Sequence, residues 1–182
     1  TFCMKNNSME VHQKRAEPWT VTLVDTGDNS MTGGRLGKVS EYIKNEEAFC
    51  FTYGDGVSNV DITKLIEFHK EHGKDATLTS VYPPGRFGAL DIQDNHIKQF
   101  TEKPKGDGAL VNGGFFVLSP KVLERISGDD CIWEQEPLKG LAKEDNLMAF
   151  KHEGFWQPMD TLRDKVYLEE LWEEGKAPWK NW

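Results

Sequence analysis

The chain has 182 residues, which suits one domain of ordinary size with a substantial core. Its 22 Lys and Arg residues and 30 Asp and Glu residues give a formal net charge of −8, which argues against general binding to nucleic acid or to an anionic membrane. Three widely spaced cysteines form neither a disulfide framework nor a zinc pattern, and no apolar run approaches the roughly 20 residues of a membrane span, so we expect one soluble, cytoplasmic domain over residues 1–182.

Short apolar segments and then a helical stripe open the chain. Met9 with Val11, and the run 21–24, have the apolar spacing of short strands. Residues 26–34 are rich in glycine and small polar side chains, which predicts a loop that leads into a helix. The apolar face of this helix is predicted to consist of Leu36, Val39, Tyr42 and Ile43.

A strand, a helix and a second strand are predicted next. Residues 48–53 are apolar without alternation, which indicates a strand buried on both faces. Asp61 is a predicted N-cap and Gly73 a predicted C-cap, and a helical apolar stripe lies between them. Residues 76–82 predict the second strand. This order is typical of a β-α-β unit in a parallel sheet.

The second half of the chain adds antiparallel and helical elements. Residues 88–100 form two apolar runs around a polar tip, which predicts a hairpin. Residues 112–118 predict a strand, and Ser119 followed by proline predicts the capped start of a helix. Further elements are predicted as a helix at 136–143, short strands at 148–150 and 155–156, and a last helix after Thr161. The pattern predicts an α/β domain with an antiparallel insertion.

Two aspartates are candidates for a metal site. Asp55 directly follows the strand 48–53 and lies between two glycines, at a strand end where open α/β sheets bind ligands. A simple turn is the alternative for Asp55, and the N-cap of the last helix is the alternative for Asp160. Thr161 with Asp164 would form a capping box that takes over this second role. Two carboxylates from separate loops are a common protein contribution to Mg²⁺.

Three other polar segments are candidates for binding substrate. Residues 26–35 combine glycines, hydroxyls and an arginine before a helix, as phosphate loops do, although connecting loops also have this composition. Glu102 and Lys103 could contact a sugar and a phosphate, or lie in a surface turn. Asn112 before two glycines could contact a sugar, or turn the chain.

Histidine, serine and cysteine patterns do not indicate hydrolase chemistry. The five histidines lack metal-binding spacing, and we expect His69 and His72 to be structural. The sequence has neither a serine nucleophile elbow nor a catalytic-cysteine signature. The six tryptophans are more typical of core packing or subunit contacts than of sugar stacking.

Several of these segments, taken in order, form a family pattern. They are Y-G-D-G at 53–56, F-G-A-L at 87–90, E-K-P at 102–104, N-G-G-F-F at 112–116 and F-W-Q-P-M-D-T at 155–161. In this order they resemble the sugar-1-phosphate nucleotidyltransferases. Residues 17–27, 30–35 and 133–138 are most similar to the members that use CTP and glucose 1-phosphate.

The resemblance implies a Rossmann-like, mostly parallel sheet flanked by helices, with an antiparallel insertion that binds sugar. It implies Mg²⁺-dependent transfer of a cytidylyl group from CTP to α-D-glucose 1-phosphate, in a homo-oligomer that supplies bacterial surface polysaccharide synthesis. The site residues implied are Asp55 and Asp160 for Mg²⁺, Ser30, Arg35 and Gly54 for the nucleotide, and Gly88, Glu102, Lys103 and Asn112 for the sugar phosphate.

One part of the family pattern is not found in these residues. Family members begin with a first strand, a G-G-x-G-T-R-L loop and a lysine in a K-P-K-P or K-P-M element. We therefore expect these residues to be part of a longer enzyme and to form about the C-terminal two-thirds of its catalytic domain. The alternatives are a non-catalytic sugar-phosphate-binding or oligomerisation module, a thymidylyl- or uridylyl-transferring relative, and a glycosyltransferase, which would ordinarily have a D-x-D pair.

Overall fold

The structure, a computed structural model, describes residues 1–10, 19–85, 89–101 and 109–181. In chain order its elements are β1 (Phe2–Cys3), β2 (Ser8–Met9), α1 (Thr32–Lys38), α2 (Ser40–Ile43), β3 (Phe49–Thr52), β4 (Gly56–Ser58), α3 (Ile62–His72), β5 (Ala76–Val81), β6 (Ala89–Gln93), β7 (His96–Thr101), β8 (Val111–Leu118), a 3₁₀ helix (Pro120–Arg125), α4 (Glu136–Lys143), β9 (Leu147–His152), β10 (Trp156–Pro158) and α5 (Leu162–Glu173).

A four-stranded sheet lies at the centre of the described chain. Its strand order is β3-β8-β5-β9, with β8 antiparallel to both of its neighbours and β5 parallel to β9. Strands β3, β5 and β9 therefore run in one direction, which confirms the predicted mostly parallel α/β sheet. The two strands of the predicted β-α-β unit, β3 and β5, are separated by β8.

Helix α3 has both predicted caps. The Asp61 side chain accepts a hydrogen bond from the backbone N of Lys64 at 3.1 Å. Gly73 ends the helix at a φ of 64°, in the left-handed region that glycine adopts without strain. Both caps are signalled by residues next to the helix ends, and the position of this helix predicted from the sequence is confirmed.

His69 and His72 anchor α3 to the sheet. His69 Nδ1 and His72 Nε2 lie 2.8 Å and 2.7 Å from the hydroxyl of Thr77, a fully buried residue on β5. Burial lowers the pKa of both histidines, because a charged imidazole is poorly solvated there. The predicted structural role of these histidines is confirmed.

The core packs helices and the 3₁₀ segment against the sheet. Its buried members are Leu36, Ala76, Phe116, Leu118, Val122, Trp133 and Leu141. Trp133 is fully buried, with ring centroids 6.1 Å from those of Phe51 and Phe116. Burying a side chain of this size stabilises the fold by roughly 1.5–3 kcal/mol or more. The backbone next to Trp133 is therefore held firmly. Two other tryptophans, Trp19 and Trp172, are exposed.

Two expectations about the first strands are wrong. Residues 21–24 form no strand, and Val21 and Leu23 are 72% and 93% exposed, because no described segment pairs with them. Strand β3 is not buried on both faces, since Cys50 and Thr52 are exposed. This strand lies at the edge of the described sheet, where one side of the ladder is open. Val11 lies outside the described residues.

The predicted hairpin is formed by β6 and β7, which pair antiparallel. Its tip residues Asp94 and Asn95 have φ values of 48° and 66°, a conformation that short polar side chains tolerate. A second antiparallel pair joins β4 to β10.

The longest helix in the described ranges, α5, has 12 residues, and no described helix combines the length and apolar character needed to cross a bilayer.

Candidate functional site

Asp55 and Asp160 lie at the same end of one antiparallel ribbon. Strands β4 and β10 pair with Gly56 opposite Pro158, and the backbone N of Met159 donates to the carbonyl O of Asp55 at 2.8 Å. Asp55 precedes β4 and Asp160 follows β10, so the pairing brings together two residues that are 105 positions apart in the chain. Both aspartates are exposed.

The helix-cap alternative for Asp160 is wrong. Thr161 caps α5, and its side chain accepts from the backbone N of Asp164 at 3.3 Å. The Asp164 carboxylate accepts in return from the backbone N of Thr161 at 3.0 Å, which completes the predicted capping box. The cap is therefore supplied by the residue after Asp160.

The donor set at the ribbon end suits a hydrated magnesium ion. Mg²⁺ prefers oxygen ligands and commonly takes one or two carboxylates from a protein, with phosphate and water oxygens as its other ligands. The two exposed carboxylates leave room for such ligands. The described residues contain no group of three or more His, Cys, Asp and Glu side chains placed to hold a metal, so an all-protein cage is not formed among them.

A hydrogen-bonded network adjoins Asp55. The hydroxyl of Tyr53 donates to Oε1 of Glu134 and accepts from Nδ2 of Asn112 at 3.2 Å. The other carboxylate oxygen of Glu134 accepts from the hydroxyl of Thr32 at 2.8 Å. Burial raises the pKa of Tyr53, and the bond to Glu134 and the negative charges of Glu134 and Asp55 add to this effect. The network joins four segments that are distant in sequence.

The glycines of the N-G-G segment are required by close packing. A Cβ on Gly114 would lie 2.8 Å from Cδ2 of Tyr53, and the φ of this glycine is 78°. A Cβ on Gly113 would lie 2.9 Å from Cγ1 of Val81. The carbonyl O of Gly113 accepts from Nε1 of Trp156 at 2.8 Å, which ties β10 to β8. These glycines let the sheet and the ribbon meet next to Tyr53.

The start of α1, within the candidate phosphate loop, packs against the segment that holds Asp129 and Cys131. The backbone N atoms of Gly33 and Gly34 donate to the carbonyl O of Cys131 at 2.9 Å and 3.1 Å, and that of Met31 donates to the carbonyl O of Asp129 at 2.9 Å. These amides are therefore already paired within the protein. The two glycines admit the neighbouring backbone of residues 129 and 131, and a phosphate-binding role for the loop stays a prediction.

Two predicted nucleotide residues lie on this loop and helix. Ser30 is buried, and its hydroxyl donates to the carbonyl O of Thr26 at 2.5 Å and accepts from Nζ of Lys38 at 3.0 Å. Arg35 is exposed, and Nη1 of its guanidinium donates to the Thr26 hydroxyl at 2.6 Å. Their contacts with a nucleotide stay a prediction.

Two surface cavities of the described chain lie away from the aspartate pair. One cavity, of about 940 Å³, is lined by residues of α5 and β10 together with Pro84 and Gly85, and another, of about 680 Å³, lies between α1, α2 and the segment 120–129. Neither lining includes Asp55 or Asp160.

Other predicted residues divide into two groups. Asn112 and Gly54 both adjoin Tyr53. Asn112 donates a hydrogen bond to the tyrosine hydroxyl, and Gly54 is the next residue in the chain. Gly88, Glu102 and Lys103 lie outside the described residues, so their roles stay predictions. Neither Glu134 nor Thr32 is individually predicted from the sequence to be a site residue. Thr32 lies in the candidate loop 26–35, and Glu134 lies in the W-E-Q-E-P-L segment at 133–138.

Comparisons with known proteins agree on one family. A family profile described as nucleotidyl transferase matches residues 5–161. The glucose-1-phosphate cytidylyltransferase of Salmonella typhi is 69% identical over 182 residues, which are 100% of this chain and 71% of that protein. A probable glucose-1-phosphate cytidylyltransferase of Bacillus subtilis is 40% identical over 167 residues, covering 91% of this chain and 65% of its own length.

Solved structures agree with the fold. A putative glucose-1-phosphate thymidylyltransferase from Bacillus anthracis has a TM-score of 0.60 at 19% identity, with 86% of this chain and 65% of that one covered. HddC from Yersinia pseudotuberculosis has a TM-score of 0.58 at 24% identity, with 80% and 64% covered. This chain therefore spans slightly less than two thirds of these two structures.

Proposed function

Since this chain belongs to the nucleotidyl transferase family, we propose that it transfers a cytidylyl group from CTP to α-D-glucose 1-phosphate, giving CDP-glucose and pyrophosphate. The observation that carries this proposal is the 69% identity, over every residue of the chain, with the Salmonella typhi glucose-1-phosphate cytidylyltransferase. The paired ribbon with its two exposed aspartates adds geometric support.

The reaction needs no nucleophile from the protein. An oxygen of the sugar phosphate attacks the α-phosphorus of CTP, one P–O bond forms, and the P–O bond to the leaving pyrophosphate breaks. The protein contributes positioning and stabilisation of developing negative charge. Asp55 and Asp160 would hold Mg²⁺, which when bound would neutralise charge on the phosphates.

Gly54 supports a nucleotide position beside Asp55. An added Cβ there would have no described atom within 4 Å, and the φ of this residue is not in the left-handed region. Neither packing nor backbone strain within the described chain therefore requires glycine at this position. A ligand that approaches the backbone closely would require it. The exposed guanidinium of Arg35 would supply positive charge toward the phosphates.

The sugar-phosphate side of the site is assigned to Gly88, Glu102, Lys103 and Asn112. Only Asn112 is among the described residues, where its side chain contacts Tyr53 and the backbone N of Gly114. The amide is thus fixed in orientation, and a second N–H of its amino group could donate to a sugar hydroxyl.

We also propose that the protein acts as a homo-oligomer in the cytoplasm, where its nucleotide substrate is found. Large exposed apolar side chains, among them Trp19 at 76% and Tyr42 at 60%, are compatible with contacts between copies. Light scattering of the purified protein tests this assembly, and a mass equal to one chain at micromolar concentration would contradict it.

Pyrophosphate release measured in parallel with CTP, UTP and dTTP tests the proposed reaction. We expect glucose 1-phosphate and Mg²⁺ to support release from CTP at least tenfold faster than from the other nucleotides. Faster release from dTTP or UTP would instead assign the chain to a thymidylyl- or uridylyl-transferring function. No release from any of the three would contradict the proposal that this chain alone is catalytically competent.

A further inference from the structure

Glu134 occupies the point where three distant segments meet. Its carboxylate accepts from the Tyr53 hydroxyl through Oε1 and from the Thr32 hydroxyl through Oε2. Tyr53 follows β3 and lies two residues before Asp55, whereas Thr32 is the first residue of α1, the helix that carries Arg35. One carboxylate therefore spans the elements that bear the proposed metal and nucleotide contacts.

The surroundings hold this carboxylate in place. Trp133, its neighbour in the chain, is fully buried, and the backbone N of Trp133 donates to the Thr32 hydroxyl at 2.9 Å. The Thr32 hydroxyl thus accepts from the backbone N of Trp133 and donates to the Glu134 carboxylate, and these two bonds fix the direction of the hydroxyl. Asn112 donates to the Tyr53 hydroxyl in the same way. Both hydroxyl donors are oriented toward Glu134.

Solvation of the glutamate side chain by water does not explain this arrangement. An exposed glutamate would be solvated by water at no cost, but Glu134 is partly buried and has two protein donors. Hydrogen bonds to a carboxylate are roughly twice as strong as neutral ones. Such bonds resist displacement of α1 relative to the strand that leads to Asp55.

We propose that Glu134 is a positioning residue that sets α1 and its Arg35 relative to Asp55, and so orders the nucleotide side of the site before substrate binds. This inference rests on the proposed function for its catalytic consequence. The tie between α1 and the Tyr53–Gly56 turn does not depend on that function and can be measured without substrate.

Steady-state kinetics of Glu134→Gln, with Glu136→Gln as the matched control, test the catalytic consequence. The glutamine keeps the side-chain shape, but its amide has a single acceptor oxygen, so only one of the two hydroxyl donors keeps an acceptor and the negative charge is lost. We expect the KM for CTP to rise about tenfold while kcat falls by less than about threefold and the KM for glucose 1-phosphate is unchanged. Glu136 is exposed, and its variant is expected to stay within about twofold of wild type.

Variants of Thr32 separate positioning from general stability. Thr32→Ser keeps the hydroxyl and is expected to retain the wild-type KM for CTP, whereas Thr32→Val removes it and is expected to raise that KM. If Glu134→Gln leaves every KM unchanged, or lowers kcat and melting temperature without a selective change in the KM for CTP, the inference is overturned.

Hydrogen exchange distinguishes failure of this inference from failure of the proposed function. In substrate-free protein, Glu134→Gln is expected to speed amide exchange at least about tenfold in both segments 31–35 and 53–56. If wild type releases no pyrophosphate but exchange rises in both segments, the proposed function fails and the tie stands. Unchanged exchange in either segment overturns the tie, whatever the enzyme activity.

Discussion

Replacing Gly114 with alanine tests the packing that supports Tyr53. The φ of Gly114 is 78°, and its new Cβ would lie 2.8 Å from Cδ2 of the tyrosine ring. The left-handed backbone conformation costs a non-glycine residue about 1–2 kcal/mol. Overpacking against the ring adds about 1–3 kcal/mol. We therefore expect Gly114→Ala to lower the free energy of unfolding by about 2–5 kcal/mol.

Gly73→Ala isolates the backbone contribution. Gly73 has a φ of 64°, but an added Cβ there would have no described atom within 4 Å. Its replacement should cost only the conformational part, about 1–2 kcal/mol. Urea unfolding of both variants, followed by tryptophan fluorescence, gives the comparison. Equal losses of stability would refute the claim that Gly114 is needed for the close approach of Tyr53.

Three further predictions concern the turn before β4, the start of α5 and the histidines of α3. Gly54→Ala should keep or slightly raise stability, by about 0.4–1 kcal/mol, yet raise the KM for CTP; an unchanged KM would argue against a nucleotide at this backbone. Thr161→Ala should lower the free energy of unfolding in urea by about 1 kcal/mol, because α5 loses its capping box, and a loss below about 0.3 kcal/mol would contradict that role. The pKa of His69 is lowered by burial, so the unfolded chain binds a proton first as pH falls below about 6.5, and stability should decrease there. His69→Gln should flatten the dependence of melting temperature on pH between about 7.5 and 5.5, and an unaltered slope would be inconsistent with this cause.

Local chemistry made several elements predictable from sequence. The caps of α3, the proline at the start of the 3₁₀ helix, the full extent of α4 and the capping box of α5 depend on residues within one turn of each other. Such signals act wherever the segment lies in the fold. The last of them also correctly moved the capping role from Asp160 to Thr161.

Features set by tertiary neighbours were not predictable in the same way. Glycines at 33 and 34 have the composition of a phosphate loop, but the backbone that approaches them belongs to Asp129 and Cys131. A glycine signals close approach without saying whether a ligand or the protein approaches. The exposed side of β3 likewise depends on the position of that strand in the sheet.

Glu134 illustrates the same limit at the candidate site. It is 81 residues from Tyr53 and 102 residues from Thr32, its two donors. No periodicity or spacing relates positions that far apart in one sequence. Asp55 and Asp160 are candidates from sequence because Asp55 follows a strand and Asp160 precedes a helix start, and the pairing of β4 with β10 explains why they lie at the same end.

Substitution of each aspartate to asparagine tests the metal assignment most directly. Pyrophosphate release from CTP and glucose 1-phosphate should fall at least about 100-fold in Asp55→Asn and in Asp160→Asn, with the fold unchanged by circular dichroism. Asp145→Asn is the matched control, because this exposed residue precedes β9 and so lies at the opposite end of the sheet from Asp55. Its activity should equal that of wild type. Near-normal turnover with Mg²⁺ in either site variant would contradict the proposal that Asp55 and Asp160 hold the ion.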